Sequence, residues 1–144
     1  MGYFTEQRKQ HIVDAIRAAE LNTSGEIRVH VDNHCRGEVL QRALAVFKKL
    51  KMEATRQRNG VLVYVAMKSH KTAIIGDEGV NAVVPTDFWN DIVADIVKMF
   101  AQGQYEEGIS DAVTAVGQVL KQHFPYQNDE INELPDEISF GDED

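Results

Sequence analysis

The chain has 144 residues, 43% of them hydrophobic, enough for one domain with a real core. Its formal net charge is −8, and the surplus sits at the end. Residues 129–144 carry eight acids and no Lys or Arg, leaving the rest balanced at 15 acidic against 15 basic. A neutral body with an anionic tail lacks the dense basic patch that drives counterion release, so nucleic acid is excluded as a partner.

A single cysteine, Cys35, rules out an internal disulfide and fits a reducing compartment. The first ten residues are polar and contain Arg8 and Lys9, so no signal peptide is visible. The longest apolar run, Val61 to Met67, is far too short to span a bilayer. These features read as a soluble cytoplasmic protein without membrane insertion.

Thr5 is placed to cap a first helix reaching about Glu20, with Ile12, Ile16 and Ala19 as its apolar stripe. Asn22-Thr23-Ser24-Gly25 ends it. Glu26 to Asp32 alternates, with Ile27, Val29 and Val31 apolar, which predicts a half-exposed strand near a sheet edge. From Gly37 to about Lys51 the spacing is helical, with Leu40, Ala43, Leu44, Phe47 and Leu50 on one face.

Asn59-Gly60 reads as a turn, and Val61 to Met67 as the central strand, covered on both faces. The polar segment Lys68 to Lys71 is short enough for a hairpin into a strand from Thr72 to Gly76, with a corner at Gly76 to Gly79. Val80, Val83 and Val84 suggest one helical turn before Pro85. Thr86 then caps a helix with Trp89, Ile92, Val93, Ile96 and Phe100 inward, ended by Gly103. A last helix, about Glu106 to Phe124, buries Ile109, Val113, Val116 and Leu120. Three parts follow: an N-terminal helix in 1–22, an α/β body in 23–125, and an acidic tail in 126–144 expected to be dispensable for folding.

The unit from Glu26 to Met67 is a βαβ crossover, which makes its two strands parallel, and the hairpin makes the third antiparallel. The sheet is therefore mixed. The starts of strands one and two and the end of strand three then fall at one edge. That placement brings Glu26, Asp77 and Glu78 near one another, with the amide oxygen of Asn59 beside them. Several mixed oxygens on glycine-bearing loops suit a hard cation such as Ca²⁺ or Mg²⁺, against the alternative of a solvated strand end. The EF-hand pattern is not met, because Gly79 and Ala82 stand where an acid and a glycine belong. Asp111, one turn past the Gly103 to Gly108 segment, joins the group if that segment folds back over the strand ends.

Thr23-Ser24-Gly25-Glu26, Arg58-Asn59-Gly60-Val61-Leu62, Gly76-Asp77-Glu78-Gly79, Val84-Pro85 and the run Phe100 to Ile109 together resemble the TPM domain family, over about Thr23 to Leu120. The resemblance implies a three-layer α/β/α sandwich with a divalent-cation site at the strand ends, and in some members an acid phosphatase activity. The chain departs from the family at three points. Arg58 stands where an acid usually precedes the Asn-Gly pair, Gln104 stands where an acid often follows the glycine, and no export signal or anchor is visible. The first two weigh against catalysis more than against metal binding, because Arg58 can pair with Asp77. The expectation is thus a divalent-cation module supporting assembly or quality control of a protein partner, with a metal-dependent phosphomonoesterase of low turnover as the alternative.

Other chemistry has less support. His30, Asp32, His34 and Cys35 include soft-metal ligands, but no further Cys or His-rich segment completes a zinc site, so they read as exposed polar residues. None of the four serines lies in a nucleophile-elbow pattern, and the Walker, Rossmann and His-Glu-x-x-His motifs are absent. Any hydrolysis must therefore run through a metal-bound water.

Overall fold

The computed structural model describes residues 2–126, 136 and 138–141. Among these residues five helices and four strands follow in chain order: α1 (Glu6–Glu20), β1 (Glu26–Asp32), α2 (Val39–Lys49), β2 (Gly60–Ala66), β3 (Lys71–Gly76), α3 (Glu78–Asn81), α4 (Asn90–Ala101), α5 (Tyr105–His123) and β4 (Ser139–Phe140). A 3-10 turn, Thr86–Trp89, leads into α4. The Thr5 hydroxyl accepts a hydrogen bond from the Arg8 N–H and so caps α1.

The sheet runs in the order β3-β2-β1-β4. β1 pairs in parallel with β2, as the crossover requires, and β2 pairs antiparallel with β3 across the short turn. One face is packed by α1, α4 and α5: Ile12, Ile16, Ile96, Ile109, Val113 and Leu120 meet Ile27, Val29, Val31, Val61, Val63 and Val65 in a single core. The other face carries α2, whose Ala43, Val46 and Phe47 cover Leu62, Tyr64, Ala66 and Ala73. This is an α/β/α sandwich, and β2, buried at every residue, is its central strand.

Four local expectations change. Thr86 opens a 3-10 turn instead of capping α4, which starts only at Asn90 with no side-chain cap. Leu40 and Leu44 do not face the core: α2 turns Ala43, Val46 and Phe47 inward and leaves both leucines exposed. The Asn59-Gly60 turn is made one residue earlier, since Arg58 takes the left-handed backbone (φ 51°) and Gly60 already starts β2. β1 is not a half-exposed edge strand. Its polar residues Glu26, His30 and Asp32 are as buried as its apolar ones, and only Arg28 is partly exposed.

The cover over β1 comes partly from the tail. β4 pairs in parallel with it, His30 opposite Ser139 and Val31 opposite Phe140. Ile138 packs on the larger core, and Asp136 reaches Arg17. The acidic stretch therefore contributes to the sheet instead of only trailing from it; the rest of 127–144 lies outside the described residues.

Candidate functional site

At the strand-start edge the topology gathers most of the sequence-predicted residues. Glu26 lies opposite Gly60 in β2, and the Asp77 N–H donates to the Gly60 carbonyl (2.9 Å) in continuation of the β3 ladder. Glu26 and Asp77 thus flank Gly60 on one sheet face, two strand spacings or about 10 Å apart along the backbone. Gly60 puts no side chain between them.

The Asp77 carboxylate accepts three hydrogen bonds. It caps α3 by accepting from the Glu78 N–H (2.8 Å). It also accepts from Arg58 Nε (2.8 Å) and Nη2 (3.0 Å), a bidentate pair, while Arg58 Nη1 reaches Glu78 Oε1 at 3.2 Å. The pairing with Asp77 raises the Arg58 pKa further. Arg58 is held in place by its own backbone: the Gly79 N–H donates to the Arg58 carbonyl (2.8 Å), and a Cβ on Gly79 would collide with the carbonyls of Gln57 and Arg58. Glycine at 79 is therefore needed for the close approach of α3 to this turn.

Asn59 is buried to 1% exposure. Its Nδ2 donates to Ser24 Oγ (3.3 Å), and its Oδ1 has no partner among the described residues. Flipping the amide only moves the vacancy to the other atom, so one polar end of Asn59 is unsatisfied either way. Asp111 does not join this edge. It is exposed and lines a groove between α4 and α5 with Asp95 and Lys98. Leu120, the residue of α5 that abuts Gly25, lies nine positions further along the helix, about 13 Å away. Among the described residues no three His, Cys, Asp or Glu side chains converge as a metal-binding group.

The opposite end of β1 holds a polar cluster that the sequence reading took for exposed residues. The Asp32 carboxylate is buried and accepts four hydrogen bonds: Arg42 Nε (2.8 Å) and Nη2 (3.2 Å), Tyr64 Oη (2.6 Å) and His30 Nε2 (2.8 Å). Burial alone would raise the Asp32 carboxyl, but the bonds from Arg42, Tyr64 and His30 outweigh it and hold it at about 2. Burial lowers the His30 pKa against the pull of Asp32, and raises that of Tyr64, with Asp32 adding to the rise. His30 stacks on Tyr64, ring centroids 5.8 Å apart, and its Nδ1 meets Ser139 Oγ at 3.0 Å. Asp32 and Arg42 also line a cavity of about 440 Å³ with His34, Cys35, Arg36 and Glu38. Of the four residues weighed as a zinc site, only His34 is exposed. Tyr64 was the readable signal: a lone hydroxyl in an apolar central strand needs a buried partner.

The TPM domain family model matches residues 1–119, a span that includes α1. The chain belongs to the TPM domain family. It is similar to BA42, a protein of the psychrophilic bacterium Bizionia argentinensis, with 45% identity, a TM-score of 0.88 and 96% of each chain covered. It shares its fold with the N-terminal domain of a P. gingivalis protein, at 19% identity and a TM-score of 0.68, covering 87% of this chain and 83% of that one. No curated protein matches the chain. Among the described residues no helix is long and apolar enough to cross a membrane.

Proposed function

We propose that the chain is a divalent-cation-binding TPM module that supports assembly or quality control of a partner protein. The observation that carries the cation reading is the strand-start edge. There a single, partly exposed guanidinium, Arg58, answers the charge of both Asp77 and Glu78, on the sheet edge that also carries Glu26 and the unsatisfied amide of Asn59. All these donors are oxygens, the set that Ca²⁺ and Mg²⁺ prefer, and the less demanding coordination of Ca²⁺ suits a site split between loops. Arg58 competes for the same carboxylates, so binding requires it to swing out and is weak, in the millimolar part of the Ca²⁺ range.

The test is a Ca²⁺ titration followed by backbone amide NMR. Shifts are expected at Gly25, Glu26, Asn59 and Gly76 to Gly79, with residues 30–35 unmoved. Arg58→Ala should tighten binding by about tenfold or more, and Asp77→Asn with Glu78→Gln should remove it. A response that persists in the double variant, or that Arg58→Ala weakens, would overturn the reading.

The second reading, a metal-dependent phosphomonoesterase, has in its favour the family model's label, TPM_phosphatase. It needs a metal-bound water with a carboxylate as base. Arg58 opposes it by withdrawing Asp77 from both roles. Turnover of an aryl phosphate that requires Mg²⁺ or Ca²⁺ and is lost in Asp77→Asn would make it the better reading.

A further inference from the structure

β3 is the outer strand of the sheet, with β2 on one side and no strand among the described residues on the other. The Asp77 N–H donates to the Gly60 carbonyl. By alternation Lys71, Ala73 and Ile75 aim their main-chain groups at β2, and Thr72, Ile74 and Gly76 aim theirs outward. The Gly76 carbonyl accepts from Asn81 Nδ2 at 3.0 Å. Among the described residues the main-chain N–H and C=O of Thr72 and Ile74 have no hydrogen-bond partner. Strand edges are ordinarily blunted by proline, a bulge or charge. β3 has no proline and its register runs unbroken. Its one charged residue, Lys71, has its Nζ tied back to the Cys35 and Gly37 carbonyls at 3.2 and 3.1 Å.

Apolar side chains flank this edge on both faces. On one, Arg42 turns toward Asp32 in β1, so Leu40 and Leu44, two positions away on either side and across the helix, lean to the β3 side of α2. They are 57% and 43% exposed, and Ile75 is half-buried on the same face. On the other, Val97 is 46% exposed and lines an apolar cleft of about 80 Å³ with Phe100 and Ala101, against Lys71 and Thr72. An open row of main-chain groups between two apolar margins has the make-up of an interface and not of a solvated edge.

The two ends of the edge carry opposite charge. Lys68 and Lys71 stand at its start. Asp77 and Glu78 stand past its end, and the single Arg58 offsets only one of their two charges. Antiparallel pairing of this edge with itself therefore sets basic ends against acidic ones. The register centred on Ile74 pairs outward residues with one another, Ile74 opposite Ile74 and Thr72 opposite Gly76. α2 covers β2 and β3, so strands about 4.8 Å apart bring two copies of α2 to about 10 Å, a helix-packing distance, with Leu40 and Leu44 between them.

We propose that two copies of this chain associate through β3, the strand pairing antiparallel with its twin about a two-fold axis at Ile74 to form one continuous sheet. A foreign strand would complete the hydrogen bonds and leave Leu40 and Leu44 uncovered; a second copy answers both. The proposal goes beyond the cation reading and does not depend on it.

The solution mass of the full chain, measured from micromolar to millimolar concentration, should rise from one chain to two. Amide exchange of Thr72 and Ile74 should slow with it, while Ala73 and Ile75, already bonded to β2, stay slow throughout. Leu44→Glu and Val97→Glu place like charges across the axis at exposed helix positions. Each should weaken association by about tenfold or more and leave the melting temperature of the diluted protein unchanged. A mass of one chain at every concentration overturns the proposal and leaves the edge to an extended segment of another protein. A doubled mass with Thr72 and Ile74 still exchanging freely, or one that neither substitution reduces, places the contact elsewhere and overturns it as well. Should the variants fail to fold, the concentration dependence of Thr72 and Ile74 exchange in the wild-type chain decides alone.

Discussion

Acid should destabilise this protein through Asp32 in a way that one substitution removes. A carboxyl held at about 2 in the fold and at its ordinary 3.8 when unfolded is depressed by nearly two pH units, which corresponds to about 2–3 kcal/mol. Because the folded value is the lower one, that stability is fully present above pH 3.8. It is lost as pH falls toward 2. The carboxylate is only 6% exposed at the side chain, so solvent screening takes little from this figure. Asp32→Asn cannot accept the Arg42 pair, and it loses that contact at every pH; because the Arg42 side chain is 39% exposed and can turn to water, the cost is about 1–3 kcal/mol. Urea unfolding at pH 6, 4.5 and 2.5 separates the two effects. The variant should be weaker than wild type at pH 6, and its further loss between pH 4.5 and 2.5 should be about 1.5 kcal/mol smaller, or about 4–6 °C in melting temperature. His30 adds a loss of the same sign. Its pKa is depressed by burial, so its contribution is already being lost as pH drops below 6.5. Equal acid losses in the two proteins would mean that Asp32 is not held by these four bonds.

Two further substitutions test the fold around the proposed sites. The Glu20 carboxyl is pushed up to about 11 by burial and by its bond to Asp136, so the stability it gives is complete below its ordinary 4.5 and declines as pH rises. Glu20→Gln keeps both an acceptor for the Ile27 N–H and a donor for Asp136, so it should raise stability at pH 8 by about 1–2 kcal/mol and flatten the alkaline decline in thermal melts. A variant less stable than wild type at pH 8 would mean that the native carboxyl is ionised. Gly79→Ala should cost about 2–4 kcal/mol in urea unfolding, because its Cβ meets backbone that cannot yield as a side chain would. A neutral result would show that α3 does not press on the Arg58 turn.

How much was legible follows from what each residue pattern encodes. The stripes of α1 and α5 were readable because Ile12 and Ile16, and Ile109, Val113, Val116 and Leu120, face one large core with no competing side. α2 was harder. It covers a narrower face of the sheet, so a stripe of three residues suffices, and nothing in the spacing says that Leu40 and Leu44 fall outside it. β1 misled for a different reason. Alternation of polar and apolar residues signals two different faces, not water on one of them. The polar face of β1 is covered by Arg42 and Tyr64 and flanked by a strand more than a hundred residues away. Asp111 was placed by supposing that the Gly103 segment folds over the strand ends. Instead Gly103 makes a left-handed turn (φ 75°) that starts α5 beside α4, leaving the first turns of α5 far from Gly25.

The two ends of β1 solve one electrostatic problem with different consequences for a cation. At each end a buried carboxylate is held by a bidentate arginine from the neighbouring element, Asp77 by Arg58 and Asp32 by Arg42. Around Asp32 the remaining contacts are donors from Tyr64 and His30, and among the described residues no second carboxylate bonds to them, so losing Arg42 leaves an under-satisfied acid but no cage of oxygens. Around Asp77 the adjoining acid is Glu78, which shares the same guanidinium, so losing Arg58 leaves two adjacent carboxylates without their counter-charge. A divalent ion gains from the second arrangement and not from the first. The ends should therefore respond oppositely to loss of their arginines: Arg58→Ala is rescued in part by millimolar Ca²⁺, while Arg42→Ala is destabilised with no recovery. Thermal melts of both variants with and without the ion read this directly, since only binding to the folded state raises the midpoint. Rescue of Arg42→Ala, or none for Arg58→Ala, would break the assignment of the cation to the strand-start edge.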